Sequence, residues 1–408
     1  MLTTKTAMRA LIILALLPPV AALPADVLSG QAEAVRHQPA LSAPDKAGQH
    51  WHPFTLTPGN QIRFAILING QPASALLDTG ASRSVLARHY AQSIGLKVHA
   101  DGRATAVGGT VAIGRATLGS MALAGVSRRG GGITIADLPA IATGNGAPVD
   151  ALIGQDIIGE YALDIDFERK ALRLLPSGHL PFAGEVAPLA VPPALGVYAS
   201  TATIGEYLLQ PMVVDTGDGA SITLSRASWT ATKAAPQIHI TTAIGFGLGG
   251  KLVSELVILP VITIGALAAR NVEVRIESEA GFSQSIGAAG RIGTGFLQRY
   301  RVLLDPRAGR MVLAATARTA DPVLRSTSGV LLGVEPGRLR ILHVMRGGPA
   351  EQAGWREGEL ICTVDGAPIQ ADYASSALAD WSVGAPGRAV SLGFCDGAIR
   401  RLTLSQFY

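Results

Sequence analysis

Apolar residues recur along this chain in short alternating runs rather than at helical spacing. "IRFAILINGQPASALLDTG" (62–80) holds two such runs on either side of Asn69-Gly70, and an Asn-Gly pair between alternating segments predicts a β-hairpin. "STATIGEYLLQPMVVDTG" (200–217) repeats the design with its turn at Gly205-Glu206. In both copies the second strand is predicted to run straight into Asp-Thr-Gly, at Asp78 and at Asp215. "SVLARHYAQSIGL" (84–96) and "ITLSRASWTATKA" (222–234) then read as strand exits into a short helix, with Gly95 as the stop of the first.

The parallel continues. Glycine-rich stretches follow, "TAVGGTVAIG" (105–114) and "AIGFGLGGKL" (243–252), and then "ALIGQDIIGEYALDID" (151–166) and "GRIGTGFLQRYRVLLD" (290–305). The interval from Asp78 to Gly154 is 76 residues and that from Asp215 to Gly293 is 78. Seven residues after each glycine stands a tyrosine, Tyr161 and Tyr300, and five residues further an aspartate, Asp166 and Asp305. Each half ends in a strand–turn–strand segment, "LDIDFERKALRLL" and "VLLDPRAGRMVLA". One Asp-Thr-Gly is a weak signal. Two copies with matched flanks establish a duplicated all-β unit.

These landmarks divide the chain. A first lobe is expected over 56–176, a proline-rich inter-lobe linker over 177–196, a second lobe over 197–315 and a third unit over 327–408. The N-terminus carries Lys5 and Arg9, the apolar run "ALIILALL" (10–17) and a small-residue site at Val20-Ala21-Ala22, the layout of a secretory signal over 1–22. Pro18-Pro19 leaves the run short of the roughly 20 residues that span a bilayer. Residues 23–55 read as a loosely patterned lead-in, and the mature protein is expected to be exported, periplasmic or secreted, with no transmembrane span.

Composition adds little to this picture but narrows the chemistry. Of the 408 residues 48% are hydrophobic and 16% charged, enough for a sizeable core, while 48 glycines and 24 prolines fit a turn-rich β architecture. The net charge of +4 is spread out without a basic block, which excludes nucleic acid as the expected partner. Neither HExxH, CxxC nor a histidine cluster occurs, so no metal and no cofactor are expected. Cys362 and Cys395 are the two cysteines; an exported compartment permits a disulfide, and two buried thiols in neighbouring strands fit equally.

The repeated acidic turn carries the candidate chemistry. Two aspartates about 3 Å apart cannot both ionise and so share a proton. The ionised one can take a proton from water while the other donates to a carbonyl. Thr79 and Thr216 can brace such turns through their hydroxyls, and Gly80 and Gly217 permit a close backbone approach.

On these residues the chain resembles aspartic proteases of the pepsin and retropepsin clan, in a bacterial, tandem retropepsin-like form. "LLDTGAS" (76–82) with "ALIGQDII" (151–158) carries the resemblance in the first half, and "VVDTGDGAS" (213–221) with "GRIGTGFL" (290–297) carries a looser version in the second. The resemblance implies a bilobal pepsin/retropepsin-like β-barrel fold with Asp78 and Asp215 as the catalytic dyad. Leu152-Ile153-Gly154 and Arg291-Ile292-Gly293 would brace the two turns. Flaps would close over a bound peptide, with Gly108 and Gly109 in one candidate and Gly247 and Gly249 in the other. Asp218, where the clan has Ala, Ser or Thr, and Arg291, in place of an aliphatic residue, depart from the pattern and point to a second lobe that is partly structural.

Residues 327–408 resemble a bacterial PDZ domain on Gly-Pro-Ala-x-x-Ala-Gly (348–354), "REGELI" (356–361) and the turn at Asp365-Gly366. That resemblance implies β-strand addition of a peptide whose C-terminal carboxylate is held by a loop at Leu331-Leu332-Gly333-Val334. The function expected is an exported aspartic endopeptidase, monomeric, acting on peptide or protein substrates that the PDZ domain positions. The alternative is a catalytically silent peptide-binding protein. A homodimer using only Asp78 is disfavoured by the duplication, and a serine protease by the lack of a GxSxG stretch.

Overall fold

In the computed structural model Ile62–Ile68 and Gln71–Leu77 pair antiparallel around Asn69-Gly70, both at positive φ (52° and 77°) as a tight hairpin turn requires. Ala199–Ile204 and Tyr207–Asp215 form the second copy. The structure describes residues 50–144, 148–234, 238–370, 372–373 and 376–408. The signal expected over 1–22 and most of the lead-in lie outside them. The architecture is mostly β, with short helices Arg88–Ser93 and Arg226–Ala231 where the two strand exits predicted them, and Gly95 just past the first at φ 70°.

Each hairpin is locked from one side. Ala151–Ile153 lies parallel to Gln71–Leu77 and antiparallel to Val85–Ala87; Gly290–Gly293 stands in the same relation to Tyr207–Asp215 and Ile222–Leu224. These short strands are buried throughout, as strands covered on both faces must be. They place Ile153 beside Leu77 and Gly293 beside Asp215, so each acidic turn begins from a fixed strand end.

The two lobes are not joined by a linker alone. Ala162–Asp166 of the first pairs antiparallel with Tyr300–Asp305 of the second, Leu163 opposite Leu304. Around this seam runs one sheet: Glu185–Pro188, Arg310–Ala315, Tyr300–Asp305, Ala162–Asp166, Ala171–Leu175 and His52–Leu56. Two of its strands fall where the sequence predicted irregular chain. Glu185–Pro188 lies inside the expected linker, at an edge where Pro188 costs no ladder bond, and His52–Leu56 begins inside the expected lead-in. Phe54, Leu77, Ile153, Leu163, Val214, Ile292 and Leu304 belong to one continuous apolar core shared by both lobes.

At the seam Asp164 is fully buried, and its carboxylate accepts from Arg173 Nε (2.9 Å) and from Arg301 Nη2 (3.0 Å), one arginine from each lobe. Both guanidiniums lie over the Trp51 ring.

Residues 327–408 build their own six-stranded sheet and core, centred on Leu339, Ile361, Trp381, Val390 and Leu392. Cys362 and Cys395 are joined in a disulfide, which decides between the two possibilities left open by the sequence. The four residues expected to hold a peptide carboxylate lie in a strand. Leu331, Leu332, Gly333 and Val334 all lie in Val330–Glu335, paired with Arg338–Val344 around a turn at Pro336-Gly337. Leu331 packs with Ala243 and Leu256 of the second lobe, together with Met345 and Tyr408.

Asp164→Ala removes the common partner of two arginines from a buried site. Loss of one member of a buried ion network costs about 3–5 kcal/mol, so chemical denaturation should show a destabilisation of that order.

Candidate active site

The first inner strand ends at Leu77 and the second at Asp215 itself, and each leads straight into the Asp-Thr-Gly turn. The turns meet. Thr79 Oγ1 donates to the Val214 carbonyl (2.6 Å) and accepts from the Thr216 amide (3.0 Å). Thr216 Oγ1 donates to the Leu77 carbonyl (2.9 Å) and accepts from the Thr79 amide (3.0 Å). Both threonines are fully buried. A hydroxyl suits this place because it can donate and accept at once, so four otherwise orphaned backbone groups are satisfied by two side chains.

The glycines follow from the same closeness. A Cβ on Gly80 would stand 2.5 Å from the Asp215 carboxyl carbon, and one on Gly217 would stand 2.6 Å from that of Asp78. Any side chain there would displace the opposing carboxylate. Asp78 Oδ1 accepts from the Gly80 amide (3.1 Å), and Asp215 Oδ1 accepts from the Gly217 and Asp218 amides (2.9 and 3.1 Å). Each carboxyl thus lies against the glycine of the opposing turn. Burial and then the charge of Asp215 push Asp78 well above the usual carboxylate range. Asp215 rises to about 6, through burial and the neighbouring Asp218, against the pull of Arg291 and its own amide donors.

Asp218 does not point to solvent. Its carboxylate accepts from Arg291 Nε (2.9 Å), the Ala220 amide (2.9 Å) and Thr223 Oγ1 (3.2 Å). Burial opposes its charge, but Arg291 and the Ala220 amide hold it below the ordinary value. Arg291 is itself buried, donates to Glu277 Oε1 (2.8 Å) and lies 3.7 Å from Asp215 Oδ2. The two residues that departed from the expected pattern are thus partners in one network. In the first lobe the Gly154 amide donates to Ser84 Oγ, which donates to Asp156 Oδ1, and the other oxygen of Asp156 lies 3.9 Å from the buried Arg128.

The four glycines expected in flaps come together. They sit at the tips of two hairpins, His99–Ala106 with Gly109–Thr117 and Thr241–Gly247 with Gly250–Ile264. The Gly249 amide donates to the Val107 carbonyl (3.0 Å), and the tips are so close that a Cβ on Gly247 or Gly249 would overlap the Val107–Gly109 backbone. Leu248 crosses to the first lobe and packs with Leu76, Val85 and Leu152, on the strands that support Asp78.

Residues 64–157 match the family model of aspartyl proteases. The matched stretch includes Asp78 and the Leu-Ile-Gly strand beside it. No curated protein matches the chain. Among the described residues no cluster of His, Cys, Asp or Glu could hold a metal ion, and no helix is long and apolar enough to cross a membrane.

Thr79→Val keeps the volume and removes the hydroxyl, leaving the Val214 carbonyl and Thr216 amide buried without partners. At roughly 1–3 kcal/mol for each orphaned group, the variant should lose about 3 kcal/mol in denaturant unfolding, and Thr79→Ser should recover most of it.

Proposed function

We propose that the protein is an aspartic endopeptidase in which Asp78 and Asp215 activate a water against a peptide carbonyl. The observation that carries this reading is the reciprocal threonine brace, which sets the turn of Asp78 against the turn of Asp215 within one chain. The ionised carboxylate takes a proton from the water as its oxygen attacks the carbonyl carbon. The protonated carboxyl donates to the carbonyl oxygen, giving a neutral tetrahedral diol. The two then exchange roles as the amide nitrogen leaves with a proton. The touching hairpin tips suit an extended chain held beneath them and shielded from water. One chain supplies both aspartates, so a monomer suffices. Residues 1–22 would direct export and be removed.

Cleavage of a peptide library by the wild type, Asp78→Asn and Asp215→Asn tests this. Each substitution should lower kcat/KM by at least the 10²–10⁴-fold that positioned acid–base catalysis supplies. Activity retained in Asp215→Asn would favour a dimer built on Asp78, and binding without cleavage by the wild type would favour a silent peptide-binding protein.

The pH profile follows from the unequal aspartates. Below about 6 Asp215 carries its proton, and the pair then has no base. Above that value the remaining proton is assigned to Asp78, which burial and the charge of Asp215 push well above the usual carboxylate range. The rate should therefore rise through about pH 6 and fall only where Asp78 also ionises. A rate already falling between pH 4 and pH 6 is incompatible with this order.

The C-terminal unit we read as a PDZ-like peptide binder. Among the described residues Val330–Glu335 pairs on one side only, so its other edge suits β-strand addition. Charge-assisted bonds to a terminal carboxylate are worth about 1.5–3 kcal/mol. The full chain should accordingly bind a peptide with a free C-terminus at least tenfold more tightly than its amide, measured by calorimetry; equal affinities would remove the PDZ assignment.

A further inference from the structure

The internal repeat supplies its own control for the active site. Gln155 N donates to the Ala81 carbonyl in the first lobe (2.9 Å), and Thr294 N donates to the Asp218 carbonyl in the second (2.7 Å). Ala81 and Asp218 therefore occupy the same place. Leu152 and Arg291 do too, each two residues before the Ile-Gly glycine and each on the short strand parallel to the one that carries the aspartate. Where the first lobe has an apolar pair, the second has a buried acid and a buried base in contact.

The contact has a particular geometry. Arg291 Nε lies 2.9 Å from Asp218 Oδ2 but 3.7 Å from Asp215 Oδ2. Its Nη1 is committed to Glu277 Oε1 (2.8 Å) and Ser283 Oγ (3.2 Å), and Glu277 Oε2 in turn accepts from the Ser283 amide (2.9 Å). The Phe282 ring covers the guanidinium. Asp215 thus sees a cation at ion-pair distance whose hydrogen bonds are all directed elsewhere. The charged groups around Asp215 are Asp78 on the facing turn, Asp218 on its own turn and Arg291 on the adjacent strand, with Glu277 and Arg275 behind them. Among the described residues Asp78 has no ion-pair partner.

We propose that Asp218 and Arg291 act as one positioning pair on the dyad: Arg291 singles out Asp215 as the member that carries the negative charge, and Asp218, by taking the guanidinium's Nε hydrogen bond, keeps that cation from locking Asp215 into an inert ion pair. The inference rests on the aspartic protease reading. A nearby cation favours an ionised carboxylate, and a full ion pair lowers its proton affinity by one to three pH units. A carboxylate held so strongly would be a poor base near neutral pH. Asp218 moderates Arg291 both by occupying it and by its own opposing charge, the larger of the two charge effects on Asp215.

Two variants separate this role from a merely structural one. Asp218→Asn keeps the shape and one of the two acceptor oxygens but removes the charge, so the acid limb of kcat/KM should move down by about one pH unit. Asp218→Ala/Arg291→Leu copies the first lobe at both positions, and its limb should lie between those of Asp218→Asn and the wild type. The titration of Asp215 followed by carboxyl ¹³C NMR should show the same order without any turnover. A limb and an Asp215 midpoint that stay at the wild-type position in both variants would overturn the proposal, even with stability reduced. Should Asp218→Asn fail to fold, an unshifted double variant overturns it alone. If the wild type cleaves nothing, the protease reading fails and the NMR order still decides whether the pair acts on Asp215.

Discussion

The site hangs on two threonine hydroxyls. Thr79 and Thr216 each tie an amide and a carbonyl of the opposite turn, so neither turn can move without breaking bonds in both lobes. Because these groups are buried, no water can replace the lost partners, and the arrangement is all or none. The rest of the fold can be understood as what delivers two strand ends to this junction. The hairpins supply the strands, the parallel strands at Ala151–Ile153 and Gly290–Gly293 set their ends, and the shared sheet through Asp164 holds the lobes in register.

A symmetric brace would by itself give a symmetric pair, yet a shared proton is useful only if its place is defined at each step. The charges outside the brace break the tie. Each aspartate has backbone donors within its own turn, but Asp215 alone has a guanidinium at 3.7 Å. That cation is accompanied by Asp218 and Glu277, so the second lobe holds a connected ionic cluster beside its aspartate where the first has Ala81 and Leu152. Buried ionic clusters add little to stability over an apolar isostere. Their value here lies in the field they place on one carboxylate.

The repeat and its acidic turns were legible because local signals carry them: Asn-Gly, Asp-Thr-Gly, alternating runs, and intervals that match between halves. The same signals located the Gly-rich hairpin tips and both short helices. Pairings between distant segments were not legible. Glu185–Pro188 has no alternation of its own and becomes a strand because Arg310–Ala315 offers it an edge. His52–Leu56 depends likewise on partners near residues 62 and 172. Leu331–Val334 read as a binding loop by resemblance, but the turn at Pro336-Gly337 makes that stretch the first arm of a hairpin. Asp218 and Arg291 each stood out in sequence as a misfit. The signal that joins them is that both misfits fall in the same half, one in each motif, with opposite charge.

The hairpins above the site are as unequal as the aspartates. The first is paired at its base with Gly132–Ala136. The second is held along its outer strand by the C-terminal unit. Thr241 Oγ1 donates to the Arg346 carbonyl, Thr242 Oγ1 lies 2.8 Å from His343 Nε2, and Lys251 pairs with Glu357. Arg346 and Arg226 share Glu255 between them, and Met345 and Tyr408 pack on Ala243 and Leu256. Apolar burial and charge pairs with the C-terminal unit thus act on the second hairpin. Separating the tips means breaking the Gly249–Val107 bond and withdrawing Leu248 from Leu76 and Leu152. The contact between the tips therefore joins a hairpin tied to the third unit to one tied to the first lobe through Gly132–Ala136, so the two sides of the site rest on different parts of the fold.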